Sequence, residues 1–144
     1  MPHHSEVKDI DSVLEALREH GMRITATRKR LVSVLFEAAT PLSVEAIHRK
    51  LGRNTFDLVT LYRCLGAFEE ASVLQVVRDE QGKALYEMID TAHGHHHHVI
   101  CRKCGKIDCL DACMIGPFED AARKLGYEDL SHRLELYGLC AGCR

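Results

Sequence analysis

Long apolar runs are absent from this sequence of 144 residues, as are internal repeats and low-complexity tracts other than one run of histidines. No apolar run approaches the roughly 18–20 residues of a membrane-spanning helix, so no membrane association is expected. The first residues, MPHHSEVKDI, lack the apolar core of a secretory signal, which predicts a cytoplasmic location. With 46% hydrophobic and 28% charged residues, the composition is that of a soluble protein and excludes a disordered tail. The length fits one domain or two very small ones.

Charge of either sign is nearly balanced overall but unevenly distributed. The formal net charge is −2, so the whole molecule is not a polycation. Between Arg18 and Arg63 there are nine Lys and Arg residues against four Asp and Glu residues, a net of +5, and the rest carries −7. The asymmetry indicates either that the basic half meets a polyanion or that these charges are scattered over a solvated surface.

Four amphipathic helices are predicted in the first part of the chain. Hydrophobic residues recur at helical spacing over residues 8–20, in a second helix capped by Thr25 or Thr27, in a short third helix capped by Ser43, and over residues 57–71. Gly21 ends the first helix, and the turn at 52–54 separates the third from the fourth.

The hydrophobic period then changes from helix to strand. Val73–Val77 and Ala84–Met88 resemble two strands, with the turn residues Asp79-Glu80-Gln81-Gly82 between them. Helices followed by a hairpin, with Arg63 on the last helix, predict a winged helix-turn-helix. The fourth helix would be the recognition helix and the hairpin would be the wing.

The remainder predicts a second, smaller domain. Residues 91–94 resemble a hinge, followed by strands near His97–Cys101 and Lys106–Cys109, a helix capped by Gly116, and a strand at 133–137. About fifty residues provide little hydrophobic core, so this half needs a metal, a partner subunit or both. The predicted fold is α+β, with a winged-helix DNA-binding domain at 1–90, a hinge at 91–94, and a small zinc-stapled α/β dimerisation domain at 95–144.

Two Cys-x-x-Cys pairs predict a structural zinc site. Thiolates two residues apart at a tight turn can occupy two corners of a zinc tetrahedron, and a second pair completes it. The pairs are Cys101 with Cys104 and Cys140 with Cys143. Buried free thiols and redox-active pairs are the alternatives, although a thioredoxin-like motif would need a different fold around it.

The other cysteines and the histidine run carry weaker signals. Cys64 is expected to be a small core residue in the middle of its helix. Packing is also the simplest role for Cys109 and Cys113, with a metal or redox role as the alternative. In a strand, alternate members of the run from His95 to His98 face opposite sides, so one tetrapeptide can serve two metal sites. A solvated histidine loop is the alternative.

Taken together, the motifs resemble the ferric uptake regulator family of metal-dependent bacterial repressors. The matching stretches span about residues 18–143 in the family's order, which makes the combination highly specific. They are Arg23-x-Thr25-x-x-Arg28, Thr60-Leu-Tyr62-Arg63, Tyr86-Glu87, the run from His95 to Cys101, Cys104-Gly-Lys106, and His132-x-x-Glu-Leu-Tyr-Gly-x-Cys140.

The resemblance implies a cytoplasmic homodimer that represses transcription by binding AT-rich palindromic operators in double-stranded DNA when loaded with metal. It implies structural Zn²⁺ on the four paired cysteines and two further sites. The regulatory metal site between the domains matches Glu87, His96 and His98, with Asp108 as an additional carboxylate if one residue is deleted after the Cys104-Gly-Lys motif. The additional metal site matches His95, His97 and His132.

Two positions depart from the family pattern. Pro41 stands where many members have a histidine ligand, and Ile115 or Gly116 stands where many have an acidic one. The regulatory site therefore either has fewer ligands or recruits His93 or a water. The reading Glu87-Met-Ile, without the cysteine of the zinc-sensing branch, favours Fe²⁺ over Zn²⁺ as the second divalent ion, with manganese, nickel and peroxide sensing as alternatives.

The predicted DNA contacts lie in the basic half. Tyr62 can touch a thymine methyl, Arg63 a phosphate or a guanine edge, and Arg23 a narrow minor groove. Arg28 would hold a phosphate, or form a surface ion pair instead, and Thr60 belongs to the matching motif. An enzyme with a small organic substrate is not expected, because the HExxH of metalloproteases and the HxE with PCxxC of deaminases are absent. A zinc-stabilised protein–protein adaptor is a further alternative.

Overall fold

The computed structural model describes residues 9–52, 54–89 and 96–144. The chain divides into two compact units, Met1–Gly94 and His95–Arg144. The predicted hinge at 91–94, together with His93 and His95, lies outside the described residues, as does the predicted start of the first helix at residue 8. Among the described residues, no helix is long and apolar enough to cross a membrane.

The first unit contains the four predicted helices, each begun by a capping side chain. They are α1 (Ile10–Glu19), α2 (Ala26–Glu37), α3 (Val44–Leu51) and α4 (Leu58–Glu70). The side chains of Asp9, Thr25, Ser43 and Asp57 accept backbone N–H groups in the first turn of these helices, which satisfies donors that a helix start leaves unpaired. The predicted caps at Thr25 and Ser43 are therefore confirmed.

A three-stranded sheet follows the helices. Strands β2 (Leu74–Arg78) and β3 (Ala84–Met88) form the predicted antiparallel hairpin. A two-residue strand that the sequence did not predict, β1 (Leu42–Ser43), pairs with the other edge of β3. The helices and the hairpin bury one continuous core, whose fully buried side chains include Leu17, Leu31, Ile47, Leu61, Leu65 and Phe68.

The second unit is a three-stranded sheet with one helix. Its elements are β4 (His97–Cys101), β5 (Ile107–Leu110), α5 (Gly116–Lys124) and β6 (Glu135–Gly138). In the sheet order β5-β4-β6, the central strand runs antiparallel to β5 and parallel to β6. Gly116 is the first residue of α5 rather than its cap, which is Ile115 and makes no side-chain capping hydrogen bond.

This unit has almost no hydrophobic core of its own. Among its described residues, the buried apolar side chains are Ile100 and Cys101, and α5 buries none. Several large apolar side chains are exposed instead, namely Met114, Phe118, Leu125, Tyr127, Leu136 and Leu139. Burial alone therefore cannot hold the unit together, because too little apolar surface leaves water. The architecture as a whole confirms the predicted α+β fold.

Candidate metal centres and nucleic-acid interface

Sheet topology brings the two cysteine pairs together. The first pair begins at Cys101, the last residue of β4, and the second begins two residues after β6. Because β4 and β6 are parallel, with Cys101 opposite Gly138, the two pairs leave the sheet at the same edge. Ligands far apart in sequence thus form one cluster at the end of the sheet.

The sulfur atoms of this four-cysteine cluster have the spacing of a zinc site. All four Sγ atoms lie within 4.8 Å of one another, and the Sγ atoms of Cys104 and Cys140 are 3.7 Å apart. A tetrahedron with Zn–S bonds of about 2.3 Å has edges of about 3.8 Å. The donor set and its spacing therefore fit a structural zinc ion held by Cys101, Cys104, Cys140 and Cys143.

Backbone turns aim the thiols into the cluster. Gly105 donates its N–H to the carbonyl of Cys101 at 2.9 Å, with a positive φ of 76° that favours glycine. Cys143 donates its N–H to the carbonyl of Cys140 at 2.9 Å. The backbone N–H of Cys140 also donates to the Sγ of Cys101, at 3.4 Å.

The pKa values of the thiols also support zinc binding by this cluster. Hydrogen bonds from the backbone of Cys104 and then of Cys140 lower the pKa of the Cys101 thiol to about 5. Hydrogen bonding to Cys140 and Cys104 raises the pKa of the Cys143 thiol to about 12. Without a cation, the four thiols therefore cannot all ionise near neutral pH, because neighbouring thiolates repel one another. A divalent ion supplies the positive charge that the full set of thiolates needs.

The histidine run enters β4, where its side chains alternate between the two faces. His96 and His98 point to one side, and their rings meet edge to face with centroids 4.9 Å apart. The register places Cys109 of β5 directly opposite His98. Ligand atoms of His96, His98 and Cys109 lie within 4.8 Å of one another, so two imidazoles and one thiol form a second cluster.

The structure does not bring Asp108 to this cluster. In β5, Asp108 pairs with Val99, so its side chain lies on the face of the sheet opposite Cys109. Its carboxylate instead forms an ion pair with the Nζ of Lys106 at 3.1 Å, and hydrogen bonding to Asp108 raises the pKa of Lys106. The residue beside the histidine pair is Cys109, which needs no deletion in the matching of the family motif.

The other face of β4 carries a third cluster. The Nε2 atom of His132 lies 3.3 Å from the Nε2 of His97 and 3.4 Å from the Sγ of Cys113. Tetrahedral ligands at metal–nitrogen distances of about 2.0–2.1 Å lie about 3.3–3.4 Å apart, so this spacing also fits a bound ion. Two of the three predicted residues, His97 and His132, are therefore brought together. His95 lies outside the described residues.

A carboxylate contacts the third cluster through the ring nitrogen of His132 that faces away from the other ligands. Glu119 of α5 places its Oε1 3.0 Å from the Nδ1 of His132, and its Oε2 is 3.6 Å from the Nη2 of Arg123. Hydrogen bonding at Nδ1 holds the ring in the tautomer that leaves Nε2 directed at His97 and Cys113. Acidic partners of this kind orient metal-binding histidines.

We expect Glu119→Gln to weaken metal binding at the third cluster. Loss of an outer-shell partner typically lowers metal affinity by about 10–100-fold. A competition titration against a coloured zinc chelator would measure this loss, while zinc on the four cysteines stays bound. Asp120→Asn is the matched control, because this neighbouring carboxylate pairs with Arg123 alone among the described contacts. Equal affinities of the two variants would contradict the orienting role of Glu119.

Glu87 and Pro41 belong to the first unit. Glu87 lies in β3 opposite Gln75, whose Nε2 donates to the Glu87 carboxylate at 2.9 Å. Its predicted part in the regulatory site stays a prediction. Pro41 is buried immediately before β1 and offers no ligand atom, consistent with the departure noted in the sequence.

The predicted DNA contacts lie on exposed parts of the first unit. Thr60, Tyr62 and Arg63 share the outward side of α4, and the side chain of Tyr62 is 50% exposed. Leu58 and Val59 are exposed beside them, so this side of the helix mixes apolar, hydroxyl and cationic groups. Such a surface matches the thymine methyls and acceptor atoms of a major groove.

Arg23 precedes α2, and Arg28 lies in the first turn of that helix. The guanidinium of Arg28 donates to the backbone carbonyl of Arg23, which ties the segment before α2 to that helix. The alternative of a surface ion pair for Arg28 finds no support in the described contacts. Arg23 itself is exposed.

Sequence reasoning missed the two cysteines of the second and third clusters. Cys64 is buried in the core, as predicted. Packing was also predicted for Cys109 and Cys113, and this is wrong, because both are exposed and each lies beside a histidine pair. The available signal was the combination of cysteines with a histidine run in a sequence that also contains two Cys-x-x-Cys pairs.

Comparison with known proteins agrees with this arrangement. The family model described as the ferric uptake regulator family matches residues 19–137. A ferric uptake regulation protein of Neisseria meningitidis serogroup C is 34% identical over 138 residues, covering 92% of this chain and 94% of the relative. The structure resembles the Helicobacter pylori ferric uptake regulator, for which three functional metal binding sites are described, with a TM-score of 0.80, 27% identity, and coverage of 96% and 95%.

A zinc-bound manganese uptake regulator is also similar, with a TM-score of 0.68, 29% identity, and coverage of 89% of this chain and 98% of that one. Regulators named for different metals thus share this fold. The family model covers well over half of the sequence, and the identity extends across both units. The chain therefore belongs to the ferric uptake regulator family of metal-responsive transcriptional regulators.

Proposed function

We propose that the chain acts in the cytoplasm as a homodimeric repressor that binds AT-rich palindromic DNA when it is loaded with metal, without catalytic activity. The outward side of α4 carries this proposal. It exposes Tyr62, Arg63 and Thr60 at the start of the second helix of the helix-turn-helix. In such folds this helix enters the major groove.

The apolar surface of the second unit supports a homodimer. Phe118 and Leu125 are 74% and 79% exposed on or next to α5, a helix that buries no residue within the chain. A second copy of the chain would cover these side chains, and a twofold dimer would present two recognition helices to the two halves of a palindrome.

Metal dependence follows from the clusters on β4. The histidines of the second cluster lie at the start of the second unit, and Glu87 lies at the end of the wing. We propose that Glu87 joins His96 and His98 as a ligand. A divalent ion bound by these residues would link the two units of each subunit. It would thereby favour those arrangements of the two winged-helix domains of a dimer that match an operator. The chain's own part is to hold the two imidazoles in place on a strand.

The experiment is a fluorescence anisotropy titration of an AT-rich palindromic duplex and a scrambled duplex of the same composition. The protein holds zinc at the four-cysteine site only, or is loaded in addition with Zn²⁺, Mn²⁺ or Fe²⁺, and the salt concentration is varied. We expect metal to tighten binding to the palindrome more than to the scrambled duplex. A steep salt slope would reveal the phosphate contacts, which a protein–protein adaptor would lack. No preference for the palindrome with any metal would contradict the proposal.

Arg63→Ala and Tyr62→Ala test the recognition helix directly. Both side chains are exposed, so we expect the fold to persist and operator affinity to fall by about 1–3 kcal/mol for a base contact. A reduced salt slope for Arg63→Ala would assign a phosphate contact, and a change in base preference would assign a base contact. Arg18→Ala is the control, because Arg18 is an exposed cation of α1 paired with Glu15. Equal losses for Arg18→Ala would overturn the assignment to α4.

A further inference from the structure

We propose that Cys109 and Cys113 are metal-binding thiolates, so that the second unit supplies two nitrogens and one sulfur to each histidine cluster, with Glu87 as the proposed oxygen ligand of the second cluster. The added sulfur favours zinc over manganese or iron. This inference rests on the proposed metal-dependent function and names the class of ion that the second and third clusters take.

The second cluster has the more direct geometry. Cys109 stands opposite His98 in the antiparallel pair of β4 and β5, so the two side chains lie on the same face of the sheet. The ligand atoms of these residues and His96 lie within 4.8 Å of one another. His98 is buried, and Cys109 is exposed.

The third cluster repeats the same donor types on the other face. Cys113 comes from the loop after β5, and its Sγ is 3.4 Å from the Nε2 of His132. His97 contributes a second imidazole nitrogen, 3.3 Å from that of His132. A tetrahedral ion with bonds of about 2.0–2.1 Å to nitrogen and 2.3 Å to sulfur places these ligand types about 3.6 Å apart, close to the observed separation.

Donor chemistry decides which ion such a set prefers. Thiolate is a soft ligand that favours zinc, whereas carboxylate and water suit manganese. The oxygen ligand expected on β5, Asp108, instead lies on the other face of the sheet with Lys106. The residues after the wing predicted a preference for iron. The sulfur atoms that the fold brings to both histidine pairs favour zinc instead.

The test uses Co²⁺ as a spectroscopic probe for zinc sites. The full-length protein is first given one equivalent of Zn²⁺ per subunit to fill the four-cysteine site, and Co²⁺ is then added. We expect near-ultraviolet charge-transfer absorption from sulfur to cobalt. The double variant Cys109→Ser/Cys113→Ser should lose this absorption and bind zinc at the two clusters more weakly, by more than the roughly 10–100-fold typical of an outer-shell loss. Its affinity for Mn²⁺ should be nearly unchanged.

Two further variants sharpen the result. Cys64→Ala removes a buried cysteine of α4 and should leave the cobalt spectrum intact. Cys109→Glu/Cys113→Asp exchanges sulfur for oxygen and should shift the preference from Zn²⁺ towards Mn²⁺. Absence of the sulfur absorption in the unmodified chain, or its persistence in the double serine variant, would overturn the thiolate assignment. If metal-dependent DNA binding persisted in that case, the proposed function would stand and this inference alone would fail.

Discussion

Cys104→Ser is expected to unfold the second unit and to abolish the proposed dimer. Cys104 is exposed, so replacing sulfur by oxygen removes little packing and chiefly removes a zinc ligand. Structural zinc contributes about 10–16 kcal/mol of apparent binding free energy in zinc-finger peptides. That range exceeds or matches the whole stability of a typical domain, about 5–15 kcal/mol. A unit whose buried apolar residues, among those described, are Ile100 and Cys101 has nothing comparable to replace it.

The measurements are zinc content per subunit, circular dichroism and sedimentation equilibrium. Cys109→Ser is the matched control for folding and dimerisation, because it removes an exposed cysteine of the same sheet outside the four-cysteine cluster, and its zinc content should fall only at the second cluster. We expect the control to stay dimeric, and the helices of the first unit to keep their thermal transition in both variants. A folded dimer of Cys104→Ser that lacks zinc would show that packing, and not metal, holds the second unit.

Local chemistry made most of the first unit predictable. The caps at Thr25 and Ser43 act on N–H groups three residues away, and the hairpin turn joins adjacent strands, so the information lies within a few residues. Strand β3 has the predicted bounds, Ala84–Met88. Strand β1 was missed because a strand of two residues is recognised only by its pairing, and its partner β3 lies more than forty positions later. No local pattern encodes that pairing.

The metal centres also differ in how much of each could be predicted from local sequence. Each Cys-x-x-Cys pair is a local motif, so the four-cysteine site could be predicted before the path of the chain was known. Membership of the other two clusters depends on strand register and loop path. Matching the family motif with one residue deleted predicted Asp108 as the ligand instead of Cys109. Because side chains alternate along a strand, this difference of one residue places the predicted ligand on the face of the sheet opposite His98. Cys113 meets His132 only through the connection between β5 and β6.

The second large effect concerns the response of DNA binding to metal. We expect His96→Ala to abolish the proposed gain in operator affinity on loading with the regulatory metal, while the affinity of the protein that holds zinc only at the four-cysteine site stays the same. His96 is half-buried immediately before β4, so its removal deletes an imidazole ligand with little loss of packing. Coupling between two binding events is typically about 1–3 kcal/mol, which corresponds to roughly 5–150-fold in operator affinity.

The coupling is measured by titrating the palindromic duplex with and without metal, for the unmodified chain, His96→Ala, Glu87→Ala and the control His20→Ala. His20 caps α1 and is exposed, so its loss tests for nonspecific binding of metal by surface histidines. Because linkage is reciprocal, DNA should also raise the metal affinity of the unmodified chain by the same factor, and of His96→Ala not at all. If His96→Ala kept the full response while Glu87→Ala kept it too, the regulatory ion would have to bind elsewhere. The remaining candidate would then be the cluster of His97, Cys113 and His132, whose ligands lie on the opposite face of β4 and do not include either altered residue.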